Sequence, residues 1–217
     1  MSQPEHSSGK PLQSTLFHVH DPMCSWCWGY RKTWDQLRAR LPSGIALVNI
    51  VGGLAPDSDE PMPQDMQNTI AGYWRQVNEQ TGAQFNFDFW DNCQPRRSTY
   101  PACRAIIAAT NQGGEQAMID AIQHAYYLRA MNPSDDETLI TLAVELGLDE
   151  AQFESDLLNP HTLQAMQADF AQRRRLGVYS FPSLVLECQG TLHPLEINYH
   201  DYRPTLAAIE SLHQSRL

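Results

Sequence analysis

No run of about eighteen or more consecutive apolar residues occurs in the chain, so no segment is expected to cross a membrane as a helix. Basic residues are scarce, 15 Lys and Arg against 25 Asp and Glu, and the net charge of −10 argues against nucleic acid as a partner because phosphates would be repelled. Cysteine is sparse and odd in number, five in 217 residues, which excludes complete internal pairing and a fold that depends on disulfides as small secreted domains do. The opening MSQPEHSSGKPLQST lacks a basic start followed by an apolar run, so residues 1–14 read as a disordered leader rather than a secretory signal. The protein is therefore expected in the cytoplasm. Repeats and low-complexity tracts are also missing. What the chain does have is 42% apolar residues over a length that can bury a core as one large domain or two small ones.

Its elements come in three blocks. LFHVH at 16–20 is a short run of strand formers stopped by Asp21-Pro22, and Trp28, Trp34, Leu37 and Leu41 then recur at helical spacing. IALVNIVGGL at 45–54 is a continuous apolar run ended by two glycines, the pattern of a strand buried on both faces. Strand, helix and strand at this spacing predict a βαβ unit with parallel strands. From 62 to 175 helical periodicity dominates, with breaks that predict five or six helices, and RRR at 173–175 suits the negative end of a helix dipole. The last block reads as a hairpin, PSLVLE and TLHPLEI around a QG turn, and a closing amphipathic helix, TLAAIESLHQSRL. The order predicts an α/β protein in which 15–61 and 176–217 share one sheet and 62–175 is an inserted helical domain.

CSWC at 24–27 falls where the first strand hands over to its helix. Unsatisfied N–H groups and the positive end of the helix dipole there favour a thiolate at Cys24, the reactive form in disulfide exchange. Cys27, one turn later, is placed to attack a mixed disulfide at Cys24. Structural zinc normally takes four ligands and a lone C-x2-C supplies two, with His18 and His20 as the nearest recruits. Haem attachment needs a histidine where Trp28 stands. Two inert buried thiols are the remaining alternative. Far along the chain, GVYSFPSLVLE at 177–187 puts Pro182 just before a strand, a position where a cis Phe181-Pro182 bond would free the backbone of Phe181 to pair with an extended substrate.

CSWC after the first strand, the helical insert, and GVYSFPSLVLE before a terminal hairpin and helix together resemble the DsbA family of thioredoxin-fold thiol–disulfide oxidoreductases, and within it the cytoplasmic FrnE-like branch. The resemblance runs from about Leu16 to the C-terminus. It implies a thioredoxin-like fold with a large helical insert, Cys24 as nucleophile, Cys27 as resolving thiol, and Phe181 with cis Pro182 as a substrate-docking loop. Two positions depart from the family pattern. Ser25 follows the first cysteine where proline is common, and His18 stands where relatives often keep a buried carboxylate that moves protons to and from the second thiol. A histidine titrating near neutrality suits the same relay, and a hydrogen-bonded core histidine is the alternative. Trp26 is expected as an exposed apolar platform for a peptide. RRSTYPACRA at 96–105 resembles the start of an insert helix that lies near the active site in glutathione-using relatives, which makes Ser98 and Arg104 candidate ligand contacts against a helix cap and a surface ion pair. No bound cofactor or metal is implied, and the expected partners are protein or small-molecule thiols and disulfides, with glutathione as a candidate co-substrate. Two alternatives stay open: a glutathione-dependent isomerase or transferase of the kappa and hydroxychromene-carboxylate isomerase type, which normally carries a lone serine at this site, and a redox-inactive or zinc-binding interaction module.

Overall fold

The computed structural model describes residues 14–214; the expected leader lies outside them except for Ser14, which opens the first strand. Strand β1 (Ser14–His20) is followed by α1 (Ser25–Arg38) and β2 (Ile45–Val51). Seven helices come next: α2 (Gln64–Thr81), α3 (Phe89–Asn92), α4 (Tyr100–Thr110), α5 (Glu115–Leu128), α6 (Asp136–Glu145), α7 (Glu150–Leu157) and α8 (Pro160–Arg175). The chain returns to the sheet with β3 (Ser183–Cys188) and β4 (Thr191–Leu195), and α9 (Arg203–Gln214) ends the described part.

The sheet order is β2-β1-β3-β4, with β1 parallel to β2 and antiparallel to β3, and β3 antiparallel to β4. Central β1 is buried on both faces and its side chains alternate. Leu16 packs among Tyr30, Leu37 and Ile209 on the α1 and α9 side, while Phe17 and Val19 pack with Ile50, Val178 and Val185 on the other. The helical lobe has its own core around fully buried Trp74, whose ring meets Phe85, Trp90 and Tyr126 at 5.2, 4.9 and 5.2 Å.

Two expectations are corrected here. The continuous apolar run from 45 predicted a strand covered on both faces, but β2 is an edge strand with Leu47 and Val48 exposed at its middle. Burial is confined to its C-terminal end, where α8 covers it and Asp169 Oδ2 accepts a hydrogen bond from Val51 N at 2.9 Å. The insert also holds seven helices rather than five or six, because α3 is a single turn, too short to leave a helical period in the sequence.

The glycines after β2 have a packing reason. A Cβ at Gly52 would sit 2.3 Å from Cζ of Phe181, and Gly53, at φ +66°, lies against Phe170. The loop before β3 therefore packs directly on the backbone that leaves β2.

Candidate redox site

At the end of β1, Asp21 shapes the turn that presents the cysteines. Its carbonyl accepts from Cys24 N at 3.0 Å and its Oδ1 from Met23 N at 2.9 Å. Oδ2 reaches further and accepts from Leu54 N at 2.7 Å, from the Thr99 hydroxyl at 2.8 Å and from the Cys103 thiol at 3.8 Å. One fully buried carboxylate thus joins the first turn to the loop after β2 and to the start of α4. Burial pushes its pKa up against these donors.

Cys24 is the N-cap residue of α1, in extended conformation at φ −84°, ψ 117°, and Cys27 lies in the first turn. Hydrogen bonding from the Cys27 thiol, and then from the Cys27 and Trp26 N–H groups, holds the Cys24 thiol below its ordinary range in spite of burial and the Asp21 charge. Burial, and then Cys24 itself, push Cys27 well above that range. The two thiols open onto different spaces. Cys24 lines an outer cleft of about 360 Å³ with Leu54, Ile70, Tyr73, Arg97 and Tyr179. Cys27 lines a separate crevice of about 10 Å³, room for one water molecule, with His18, Tyr30, Arg31, Asp120 and Gln123. The Cys24 thiol also lies 3.7 Å from the carbonyl oxygen of Phe181, and the Phe181-Pro182 peptide bond is cis. Arg173 holds the far side of this loop, donating to the Gly52 carbonyl at 2.8 Å with its guanidinium 5.6 Å from the Phe181 ring.

His18 is buried beneath the pair. Asn49 Nδ2 donates to Glu115 Oε2 at 3.0 Å, which turns Asn49 Oδ1 toward His18 Nδ1 at 3.0 Å. The imidazole therefore carries its proton on Nδ1 and leaves Nε2 as a base. The expectation that it titrates near neutrality is corrected here: burial lowers its pKa to about 4 although the Asn49 bond opposes this, so it is neutral at pH 7. It stacks on Trp34 at 4.1 Å and on His20 at 4.7 Å; neither nitrogen of buried His20 has a hydrogen-bond partner among the described residues.

The other predicted residues separate into two groups. Trp26 lines the outer cleft but is half-buried, edge-on to Tyr199 at 5.4 Å. Ser98 and Arg104, expected beside the cysteines, line a different cavity of about 410 Å³ with Asp57 and the start of α6. Both are buried. Ser98 accepts from Ser134 Oγ through its carbonyl, and Arg104 Nη1 donates to both oxygens of Asp57, at 2.9 and 2.8 Å. The helical pitch explains this: Thr99 and Cys103, four apart, take the face of α4 that meets Asp21, so Arg104 turns away from it. Arg97 reaches the cleft instead. The sequence reading missed Arg97 and Asp21, treating Asp21-Pro22 only as a strand stop. Among the described residues no three His, Cys, Asp or Glu side chains cluster as a metal site would require, and no helix is long and apolar enough to cross a membrane.

A four-stranded sheet carrying CxxC at the head of α1, a cis-proline loop opposite it and a helical insert between β2 and β3 define a thioredoxin-like protein with the DsbA type of insertion. The thioredoxin family profile matches residues 17–192, and the chain belongs to that family. Its structural neighbours include a candidate protein disulfide isomerase from Nitrosomonas europaea, 25% identical at a TM-score of 0.81, covering 94% of this chain and 98% of that one. Cytosolic disulfide reductase DsbM from Pseudomonas aeruginosa shares the fold at a TM-score of 0.75 and 24% identity, over 93% of this chain and 99% of that one, and a second DsbM structure contains GSH. In sequence the chain is also similar to the ClpXP adapter protein SpxH of Bacillus subtilis, 24% identical over 205 residues that make up 91% of this chain. The matches span 67% of that SpxH and 58% of the SpxH of Halalkalibacterium halodurans.

Proposed function

We propose that the chain is a cytoplasmic thiol–disulfide oxidoreductase of the FrnE-like kind, exchanging disulfides with protein or small-molecule thiols through Cys24 and Cys27. The observation that carries this reading is the unequal pair: Cys24 caps α1 with its thiol at the wall of a cleft, while Cys27 is sealed from that cleft one turn away. Cys24 attacks a partner disulfide and releases one thiol. Cys27 then attacks the sulfur of Cys24, releases the second thiol and closes the Cys24–Cys27 disulfide. Phe181 and Pro182 flank Cys24 as the docking edge, Trp26 forms part of the cleft wall, and His18 Nε2 hands the Cys27 proton on through the crevice they share without holding it, since its imidazole stays neutral. Glutathione is the expected co-substrate that resets the pair; the GSH found with DsbM supports its inclusion. Ser98 and Arg104 have no part in this reading, since they line a different cavity.

Equilibration of the pure protein with glutathione buffers, read by intact mass and by alkylation of Cys24 across pH, tests the proposal. A single reversible two-electron couple is expected, with Cys24 alkylating at a pH below that of an ordinary thiol. The absence of a reversible couple would end the reading.

Similarity to SpxH favours a second reading, delivery of a bound protein to ClpXP. Accelerated degradation of a client by ClpXP that survives replacement of both cysteines by serine would support it over exchange chemistry.

A further inference from the structure

Among the described residues that line the cleft beside Cys24, all are uncharged except Arg97. Leu54, Ile70, Tyr73 and Trp26 give it an apolar lining, and Tyr179, which also lines it, is 79% exposed. Arg97 is solvent-exposed and forms no hydrogen bond or ion pair with any described residue. Asp21, a carboxylate on which its charge acts, lies wholly buried with its oxygens already taken by two N–H groups, a hydroxyl and a thiol. The adjacent Arg96 shows the contrast, since it is paired with Asp135 at 2.7 Å. A chain of net charge −10 thus keeps one unpaired cation at the edge of an apolar cleft, beside its most acidic thiol.

This inference rests on the exchange reading and names its substrate. From this arrangement we infer that the cleft selects peptide disulfides whose cysteine lies beside an apolar side chain and a carboxylate, the apolar group on the Leu54–Ile70–Tyr73 lining and the carboxylate on the Arg97 guanidinium. A guanidinium offers carboxylates a two-pronged donor, and an apolar lining next to it lowers the local dielectric that screens the pair. Glutathione supplies carboxylates and no apolar side chain, so it fills half of the site and is the poorer partner at it. The chemistry is balanced: the Cys24 thiolate forms a bond to the peptide sulfur, the peptide's disulfide breaks and the leaving thiolate takes a proton. Cys27 then displaces the peptide thiol and gives up its own proton, leaving the protein pair oxidised by two electrons and the partner disulfide reduced.

Single-turnover assays with fully reduced protein and 2-pyridyl disulfides of Phe-Cys-Glu, Phe-Cys-Gln, Phe-Cys-Lys and glutathione test it, release of pyridinethione giving the second-order rate. The expected order is Glu above Gln above Lys, with about a three- to five-fold step from Gln to Glu, the size of a partly exposed ion pair, and with glutathione slower than the Glu peptide. Arg97→Glu should invert the Glu and Lys order, Arg97→Ala should remove it, and 0.5 M salt should compress it in the unaltered protein. An order that survives Arg97→Glu, or a glutathione probe as fast as the Glu peptide, would overturn the inference while leaving exchange intact. Release no faster than that of Cys24→Ser with every probe would remove the exchange reading and this inference with it.

Discussion

Cys24 and Cys27 differ because of what surrounds each sulfur: helix-start N–H groups and a neighbouring thiol favour charge at Cys24, and burial opposes it at Cys27. Replacing Cys27 with serine should therefore leave attack by Cys24 in place and block its resolution, so that a mixed disulfide at Cys24 accumulates and is seen by intact mass. The ionisable groups beneath the site have opposing consequences for stability. His18 has a native pKa of about 4 against 6.5 unfolded, so between these values the unfolded chain binds more protons and stability is lost as pH falls from 6.5 to 4, by about 3 kcal/mol. Denaturant titrations of His18→Leu at pH 4 and 7 should show this loss reduced. Asp169 acts in reverse. Its carboxyl is pushed up to about 6 from 3.8, first by burial, so the native state binds more protons between pH 4 and 6 and loses stability as pH rises through that window, again by about 3 kcal/mol. Asp169→Asn keeps an acceptor for Val51 N and should stabilise the protein at pH 8 with little change at pH 4. The cysteine pair and Pro182 were legible because their chemistry is written in adjacent letters. Asp21 and Arg97 were not, since their roles exist only once the loop after β2 and the start of α4 have been brought to the end of β1.

Among the elements, β1, α1, β3, β4 and α9 were readable from period and punctuation, and the parallel pairing of β1 with β2 followed from the strand–helix–strand spacing of a βαβ unit. The place of β2 was not readable, because an apolar run bears the same letters whether a neighbour covers it or not; its exposed Leu47 and Val48 depend on β3 pairing with the other side of β1. The loop that follows β2 packs against Phe181, the proposed docking edge. A methyl at Gly52 would overlap the Phe181 ring, and the ring cannot retreat freely because the Arg173 guanidinium lies on it. Gly52→Ala should cost about 1–3 kcal/mol through overpacking. It should also slow exchange with peptide disulfides, since Phe181 moves with its carbonyl beside Cys24, and parallel measurements of unfolding and single-turnover rate would check both effects.

For the molecule as a whole, the helical insert brings a core of its own, and the sheet contributes two smaller ones on either side. Phe153, fully buried in the insert on α7 and absent from the lining of both the Cys24 cleft and the Cys27 crevice, separates stability from the proposed chemistry. Phe153→Ala should cost about 3–5 kcal/mol, read as an earlier urea midpoint, with the exchange rate of the folded protein unchanged. The sequence announced such a lobe by its helical periodicity, but the side on which each helix meets the site depended on packing, which is why Arg97 replaced Ser98 and Arg104 at the cleft. The separation of the cleft at Cys24 from the crevice at Cys27 has a kinetic corollary. If exchange runs as proposed, a partner that stoppers the cleft leaves the crevice open to hydrogen ions, so the deuterium isotope effect on the resolving step should be the same for a bulky peptide as for a small thiol.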